Sequence, residues 1–599
     1  MKTNDGIGPL KHDGKVTVEP IEKARLLLDQ FDSVYTNPKF NDREIENMME
    51  EGLHAQQMSN VGISRDDIVK SIKELKISSA PGPDGIPVIL LKECADILSI
   101  PLHKLWDESL RSGNIPSKLK TGLVIPIFKG GERHIAKNYR PVTLTSHIIK
   151  IFERAIVRKL VDYMEERQMY NEHQHGFRRG RSCLSQLLEQ HAHILDMLCR
   201  GLAVDVVYLD FAKAFDKVDH GILIKKLIKM GISQELIRWI KSFLTNRKQK
   251  VEVEGCHSEE SDVLSGVPQG SVVGPLLFII YISDIDENVN GSRIASFADD
   301  TRLLKEVRKD EDCAILQRDL ESVYSWVKEN NMALNAGKFE VLRLGKHPNP
   351  ESSYKTPDGE TIFQKDSIKD LGIVVQSDAR FTEHIHEIVK KCRKQTGWIL
   401  RSFKTREVSP MLTLYKSLVL PIAEYCSQLW SPSALGQVRM LEGIQRTFTS
   451  RINGLQDLNY WDRLKELSMF SMQRRRERYI IIYTWKIIQG LAPNFQDENI
   501  QIRTHGENSR LGRRCQLPLL VRSGEGTLRD QSFTVVGPRL FNVLPIELRK
   551  FDGSLDVFKS RLDKFLWSVD DKPPLPGYYD AAAGNSLMQQ IAHARAQTL

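Results

Sequence analysis

An α+β fold with an antiparallel sheet is predicted by three features of the sequence. Val-Val-Tyr-Leu at 206–209 is an apolar, strand-like run that leads into Asp210. Ser-Phe-Ala at 296–298 leads in the same way into Asp299 and Asp300. Between and around these runs, strand and helix patterns follow one another in mixed order, which suits a sheet covered by helices.

The N-terminal part is predicted to be helical. From about Pro20 to Tyr35, Ile21, Ala24, Leu27, Leu28 and Phe31 share one face. Pro20 suits a first helical position, where its missing N–H costs nothing. A further helix is expected over 64–77, opened by Ser64 as N-cap. Ser-Ser-Ala-Pro-Gly-Pro-Asp-Gly-Ile-Pro at 78–87 is a turn-rich loop. Residues 88–112 are helix-periodic, with Trp106 on the apolar face. Leu123–Lys129 and Asn138–Leu144 read as strands joined through Gly130-Gly131. A helix over 146–168 follows. Residues 200–345 then read as a strand, a helix at 219–246, a hairpin from Lys250 to Val263, a Gly/Pro-punctuated loop with its helix, the Asp-Asp hairpin and a helix at 310–330. Residues 368–500 read as helical, with Tyr415, Leu418, Leu420 and Trp430 as core. Residues 500–515 are polar and Arg-rich, a linker. Phe533, Pro538, Leu540, Phe541, Leu544, Pro545 and helical Phe558–Phe565 form a small module. The tail from about 570, with Pro-Pro-Leu-Pro-Gly and Ala-Ala-Ala-Gly, is expected to be disordered.

At 599 residues the chain is too long for one core. With 41% hydrophobic and 27% charged residues it has a globular composition. The longest apolar run, Val272–Ile282, is short and broken by Gly274 and Pro275, so no membrane span is expected. The start lacks the apolar stretch of a signal peptide. The eight cysteines are scattered without Cys-x-x-Cys pairs, which argues against a disulfide framework or a zinc knuckle. These features predict a reduced nuclear or cytoplasmic protein, neither secreted nor membrane-bound. The charge of +8 is unevenly placed: residues 385–480 hold 17 Lys+Arg against 8 Asp+Glu, and the rest of the chain is nearly neutral. That segment is either a solvated helical face or a phosphate-tracking surface. Arg474-Arg475-Arg476-Glu477-Arg478 is a weak candidate for a nuclear-import signal.

If the two acid-ending strands lie side by side, their carboxylates meet at one edge. Hard oxygen ligands there suit Mg²⁺ rather than zinc or copper. Two such ions about 3.5–4 Å apart are what nucleotidyl transfer uses. Asp-Asp also occurs at ordinary strand ends, so the order of further motifs has to decide. Tyr139-Arg140-Pro141-Val142 and Gln174-His175-Gly176-Phe177-Arg178 precede the first Asp. Leu-Ser-Gly-Val-Pro-Gln-Gly-Ser-Val-Val-Gly-Pro-Leu-Leu-Phe at 264–278 lies between the Asp peptides, and Asn-Met-Ala-Leu-Asn-Ala-Gly-Lys at 331–338 follows. This ordered set resembles the reverse transcriptase of non-LTR retrotransposons of the jockey or chicken-repeat-1 type, over roughly residues 20–565.

The resemblance implies a right-hand polymerase: a helical N-terminal extension (1–80), fingers (81–199), palm (200–367), helical thumb or connection (368–500), C-terminal module (501–567) and tail (568–599). The whole catalytic domain would span about 115–375. It implies RNA-directed DNA synthesis with two Mg²⁺ ions, Mn²⁺ substituting, from an RNA template, a DNA primer or nicked target DNA, and dNTPs. Asp210 and Asp299 would bridge the ions, with the backbone carbonyl of Phe211 and, secondarily, Asp300. Asp216 and Asp219 read as structural or helix-start residues. Phe215 resembles the sugar gate that rejects a 2′-OH; plain core packing is the alternative. Gln269 and Gly270 lie where the family meets nucleotide and template. Lys129 and Arg140 are candidates to grip the triphosphate, Arg140 first; a template contact is the alternative for Lys129. Lys338 resembles the acid that protonates pyrophosphate; an ordinary surface lysine is the alternative. Gln174, Gly176, Phe177 and Arg178 resemble a template-contacting motif, with Arg179 and Arg181 adding phosphate contacts; a polar surface turn is the alternative. Two departures from the family pattern stand out: Phe339 where Thr is usual, and Phe297 where Tyr is usual.

No endonuclease set is recognisable before Pro81, and no RNase H carboxylate set or Cys-Cys-His-Cys knuckle after the thumb. A polymerase part alone is therefore expected, with any nick supplied by an endonuclease in trans. The competing reading is a catalytically silent, nucleic-acid-binding relic. An RNA-directed RNA polymerase is disfavoured by Phe215, where a small residue would admit ribose.

Overall fold

The computed structural model describes residues 6–12, 15–52, 58–59, 61–495, 500–501, 519–521, 528–572 and 585–597. The N-terminal part contains β1 (Leu10–His12), β2 (Lys15–Thr17), α1 (Pro20–Asp32), α2 (Asp42–Glu51), α3 (Arg65–Lys73), α4 (Val88–Glu93) and α5 (Ala95–Ser112). Ser64 caps α3 in a full capping box with Asp67. Ala24, Leu27, Leu28 and Phe31 of α1 are buried, whereas Ile21 is exposed at the edge of that stripe. Trp106 is fully buried and stacks on Phe152 at 4.3 Å.

β3 (Thr121–Phe128) and β4 (Tyr139–Leu144) form the expected hairpin. Then come α6 (His147–Glu166), α7 (Cys183–Cys199), β5 (Ala203–Leu209), α8 (His220–Lys229), α9 (Gln234–Leu244), β6 (Arg247–Val253), β7 (Cys256–His257) and β8 (Ser261–Val263). The hairpin read over 250–263 does not join the sheet that carries the aspartates. β6 pairs in parallel with β3, giving a sheet in the order β4-β3-β6-β7, with β8 also on β6. The single helix expected over 219–246 is two, α8 and α9, separated by a turn with Gly231 at φ 69°.

The second sheet is built from β5, β9 (Arg293–Phe297), β10 (Asp300–Val307), β11 (Glu340–Leu344) and β12 (Phe363–Lys365), in the order β12-β11-β5-β10-β9. α10 (Gly274–Tyr281) and α11 (Asp310–Glu329) lie between its strands in sequence. It is antiparallel except at one edge, where β12 runs parallel to β11. β5 is buried on both faces. Ala203, Val207 and Leu209 join the core formed with α6 and α8–α11, while Val204 and Val206 join the core on the other side.

The stretch expected to be helical from 368 on begins instead with a hairpin of β13 (Ser367–Asp370) and β14 (Ile373–Gln376). Its Asp370 forms a buried ion pair with Arg302 of β10. The helices α12 (Thr382–Ser402), α13 (Val408–Leu418), α14 (Leu420–Glu424), α15 (Ser427–Trp430), α16 (Leu435–Thr449), α17 (Tyr460–Glu466) and α18 (Met472–Ile488) follow. Tyr415, Leu420 and Trp430 are buried, and Leu418 packs against them in part. The polar linker read over 500–515 lies almost wholly outside the described residues.

The segment read as a separate C-terminal module shares the core of these helices. α19 (Phe533–Asn542), α20 (Ile546–Arg549) and α21 (Leu555–Trp567) place Phe533, Phe541 and Phe558 in the same cluster as Trp485. The Arg474–Arg478 run is held by this packing and is not free for an import receptor. Arg474 donates to the carbonyls of Leu566, Val569 and Asp570 at the end of α21, and Arg476 is fully buried. Arg475 pairs with Glu424, and Arg478 with Asp563.

The Pro-rich and Ala-rich stretches of the tail lie outside the described residues. Residues 585–597, however, do not fit the expected disorder. They hold α22 (Leu587–Gln597), tied down where the Leu587 amide donates to Glu477 (3.0 Å) and Asn585 donates to Asp571 (2.9 Å). Among the described residues no helix is long and apolar enough to cross a membrane. Leu587 is fully buried. Leu587→Ala is therefore expected to cost about 2–5 kcal/mol in denaturant unfolding; an undocked tail would leave the midpoint unchanged.

Candidate active site

The pairing of β5 with β10 sets the site. Leu209 is opposite Thr301, so the register brings Asp210 to the edge where Asp299 and Asp300 lie. Phe297 pairs with Asp300, which leaves Ala298 and Asp299 as a two-residue turn. Just past β5, the Asn335 amide donates to the Asp210 carbonyl (2.8 Å) and the Ala212 amide to Ala333 (2.8 Å), with Phe211 bridging Leu334. The segment 331–338 thus lies directly beside Asp210. Lys338 Nζ is 2.8 Å from Asp210 Oδ2, in an exposed pair worth at most about 1 kcal/mol.

The carboxylates repel one another. Burial, reinforced by the charge of Asp210, raises the Asp299 carboxyl above its ordinary range. Partial burial of its carboxyl group and the charge of Asp299 push Asp300 up to about 6, although the residue keeps solvent contact at the rim. This concentration of hard oxygen donors is the arrangement a divalent cation relieves.

Phe215 is half-buried, stacked on Phe278 at 4.4 Å and met edge-on by Phe177 at 6.1 Å. The loop at 265–270 is fastened on both sides. The Val267 amide donates to the Phe215 carbonyl (2.9 Å), and Gln269 Nε2 to Asp216 Oδ1 (2.7 Å). Across the loop, the Thr143 amide of β4 donates to the Gln269 carbonyl (2.7 Å). Gly270 has φ 136°, and a Cβ there would overlap the Thr143 carbonyl, so glycine permits this approach. Asp216 is buried beneath the loop, and Asp219 caps α8. Both fit the structural reading.

Lys129 and Arg140 are exposed at the β3–β4 hairpin. Burial of its ammonium and the nearby charges of Lys213, Lys338, Arg140 and Lys137 lower the Lys129 pKa. Five cations therefore converge on the side of the site facing the hairpin. Lys137 and Lys213 had escaped the sequence reading. Lys213 sits between Asp210 and Phe215 with φ 55°, so the signal was a lysine inside the acidic motif itself.

The Gln174–Arg178 motif is placed differently from the template-contacting expectation. Gln174 is 3% exposed and Gly176 is buried, both against the Ala298–Asp299 turn. Arg178 points inward over the Tyr170 ring (4.5 Å), donates to the Asn171 carbonyl (2.8 Å) and is pushed down to about 10 by burial. Arg181 is bonded to the Glu172 carbonyl and His175. Phe177, at 52% exposure, and Arg179 remain at the surface. Of the two departures from the family pattern, Phe339 is buried and stacks with Tyr324, a packing role.

Asp205, Cys313 and His347 form a second grouping of metal-ligand types, on the α11 side of the sheet. There His347 Nδ1 accepts from the Asn349 amide (3.1 Å), so the ring proton lies on Nε2, which faces Asp205 at 3.2 Å. Tyr354 and Arg343 also converge on Asp205. This is a hydrogen-bonded network, and its protonated nitrogen is not a ligand for a cation.

Residues 127–375 match the reverse transcriptase (RNA-dependent DNA polymerase) family. The chain is 30% identical over 404 residues to a probable RNA-directed DNA polymerase from transposon X-element of Drosophila melanogaster, covering 65% of this chain and 44% of the relative. It is 27% identical over 436 residues to that of transposon BS of the same fly, covering 70% and 48%. It is 27% identical over 404 residues to that of mobile element jockey of Drosophila funebris, covering 65% and 44%. The chain thus spans less than half the length of these relatives. The aspartates, the Gln269 loop and the Lys338 segment all fall within the stretch, residues 127–375, that matches the reverse transcriptase family.

Proposed function

We propose that the chain is an RNA-directed DNA polymerase of a non-LTR retrotransposon, extending a DNA primer on an RNA template. The observation that carries this reading is the β5–β10 register, which brings Asp210, Asp299 and Asp300 to one edge inside the family match. In this reading the β5–β9–β10–β11 sheet is the palm, the β3–β4 hairpin belongs to the fingers, and the helices α12–α18 form the thumb or connection. RNA template, DNA primer or nicked target DNA, and dNTPs are its partners. An endonuclease acting in trans would complete a mobile element. The place of action is the nucleus or the cytoplasm.

Asp210, Asp299 and Asp300, with the Phe211 carbonyl, would hold two Mg²⁺ ions, Mn²⁺ substituting. Bound there, the ions supply the positive charge that acidifies the primer 3′-OH and offsets charge on the leaving pyrophosphate. Lys129 and Arg140 orient the triphosphate from the hairpin, a task for which a guanidinium fork is suited. Lys338, bonded to Asp210 in the free protein, is the candidate to give its proton to the departing pyrophosphate. Gln269 and Gly270 shape the floor for the nucleotide, and Phe177 offers an exposed ring near the template path. The Phe215 ring, backed by Phe278, would meet a 2′-OH and exclude ribonucleotides.

Primer extension on poly-rA/oligo-dT with Mg²⁺ and dTTP tests the reading. Asp299→Ala is expected to lower the rate by about 10³-fold or more, as loss of a transition-state charge partner does. Absent extension by folded wild-type protein that still binds primer–template would leave the nucleic-acid-binding relic instead. Phe215→Val should cut discrimination between dTTP and UTP by about tenfold or more, read as the ratio of kcat/KM values. The raised Asp300 carboxyl predicts a pH-dependent stability effect. A carboxyl raised on folding favours the fold below its unfolded pKa, and that contribution is lost as pH rises through about 6. Asp300→Asn should therefore raise the melting temperature of the metal-free protein at pH 7.5, with the gain vanishing near pH 4.

A further inference from the structure

The turn that carries Asp299 is held from outside the sheet. Ala298 has φ 55°, a backbone region that costs a residue with a Cβ about 1 kcal/mol or more. Its conformation persists because a second segment grips it. Gln174 Oε1 accepts from the Ala298 amide (2.8 Å) and from the Gly176 amide (2.7 Å). Gln174 Nε2 faces the Ala298 carbonyl at 3.3 Å. The His175 amide donates to the Ser296 carbonyl (2.9 Å), and the Ser296 amide to His173 (3.0 Å), so the segment runs beside β9. Gly176 lies so close that a Cβ would overlap the Ala298 nitrogen. His175 anchors the grip from behind, on Ser185 (2.7 Å) and Glu189 (3.2 Å).

We propose that Gln174 is a positioning residue for Asp299: its side-chain amide fixes the turn in the one shape that presents this carboxylate to the metal edge. This rests on the reverse transcriptase reading of that edge. A direct template contact is a poor account of Gln174, because the side chain is buried and its oxygen and nitrogen are both directed at the turn. Gly176 serves the same end by letting the two backbones meet. A glutamine amide suits the task because one oxygen can accept two N–H groups while its nitrogen addresses a carbonyl.

The test uses the full chain in three variants. Gln174→Met keeps the length of the side chain and removes the amide. Gly176→Ala pushes the turn while leaving the amide in place. Gln174→Met/Ala298→Gly relieves the backbone cost at φ 55° by a residue free to adopt it. Extension on poly-rA/oligo-dT gives kcat, the KM for dTTP and the half-saturating Mg²⁺ concentration. Primer–template affinity and the Mg²⁺-induced shift in melting temperature are measured in parallel. For Gln174→Met and Gly176→Ala, kcat should fall about tenfold, the loss of one buried hydrogen bond expressed at the reacting geometry. The half-saturating Mg²⁺ concentration should rise several-fold in both extension and thermal shift. Primer–template affinity and the KM for dTTP should hold within about twofold. The double variant should recover at least about threefold of the lost kcat. Weakened primer–template binding with an unchanged Mg²⁺ requirement would overturn the proposal in favour of template contact. Unchanged kcat and Mg²⁺ dependence in either single variant would overturn it as well. Should Gln174→Met not fold, Gly176→Ala decides by the same criteria. An inactive wild-type chain would refute the polymerase reading alone, because the thermal shift with Mg²⁺ still compares the variants with wild type.

Discussion

Mutual repulsion of three carboxylates at the end of a buried strand pair is the constraint the rest of this domain answers. β5 is enclosed on both faces, so its end cannot retreat into solvent to separate Asp210 from the turn opposite. The protein gathers cations around the edge instead: Lys338 on Asp210, and Lys129, Lys137, Arg140 and Lys213 toward the hairpin. Backbone contacts supply the rest of the restraint. Segment 331–338 is laced to 210–212, the 265–270 loop to both the Phe215 turn and β4, and Gln174 to the Asp299 turn. The charged centre is thus braced by neutral amides from several separate stretches of chain, a stiff frame for groups that would otherwise part.

The carboxylate peptides, the Gln269 loop, the β3–β4 hairpin and most helices were legible because each has a local signature. An apolar run ending in Asp, a Gly-Pro punctuated loop and a 3.6-residue period all lie within a short window. What was not legible depended on partners far away in sequence. β6 looks like half of a local hairpin, and only tertiary packing shows that it lies parallel to β3. The same holds for β12 on β11. Gln174, Gly176 and Arg178 form a polar, turn-like string that reads as surface, yet the aromatic ring of Tyr170 and the Ala298 turn bury them. No local pattern distinguishes a glutamine aimed at a nucleic acid from one aimed at a backbone turn.

Charge gives the same lesson in another form. The basic surplus over 385–480 is real, but it is not all available to a polyanion. Arg474 and Arg476 are buried, and Arg475 and Arg478 are matched with Glu424 and Asp563. Lys390, Lys391, Arg393, Lys394 and Arg401 on α12 stay exposed. Net charge therefore overstates the positive surface of α18 and describes that of α12 better.

The parallel join of β3 to β6 also bears on how this chain comes into being. Residues 121–124 find their partners at 248–251, and α1 rests on the same late stretch of chain, with Lys23 bonded to Glu254 just past β6, and Asp32 to Gln249 of β6 and Ser261 of β8. During synthesis, α1 and the β3–β4 hairpin leave the ribosome long before the strand that completes their sheet exists. Their apolar faces must wait, shielded by chaperones or by transient local contacts, until residue 261 has emerged. A nascent chain halted before that point would expose an unpaired strand edge and the underside of α1, which makes arrested or truncated products of this chain prone to aggregate.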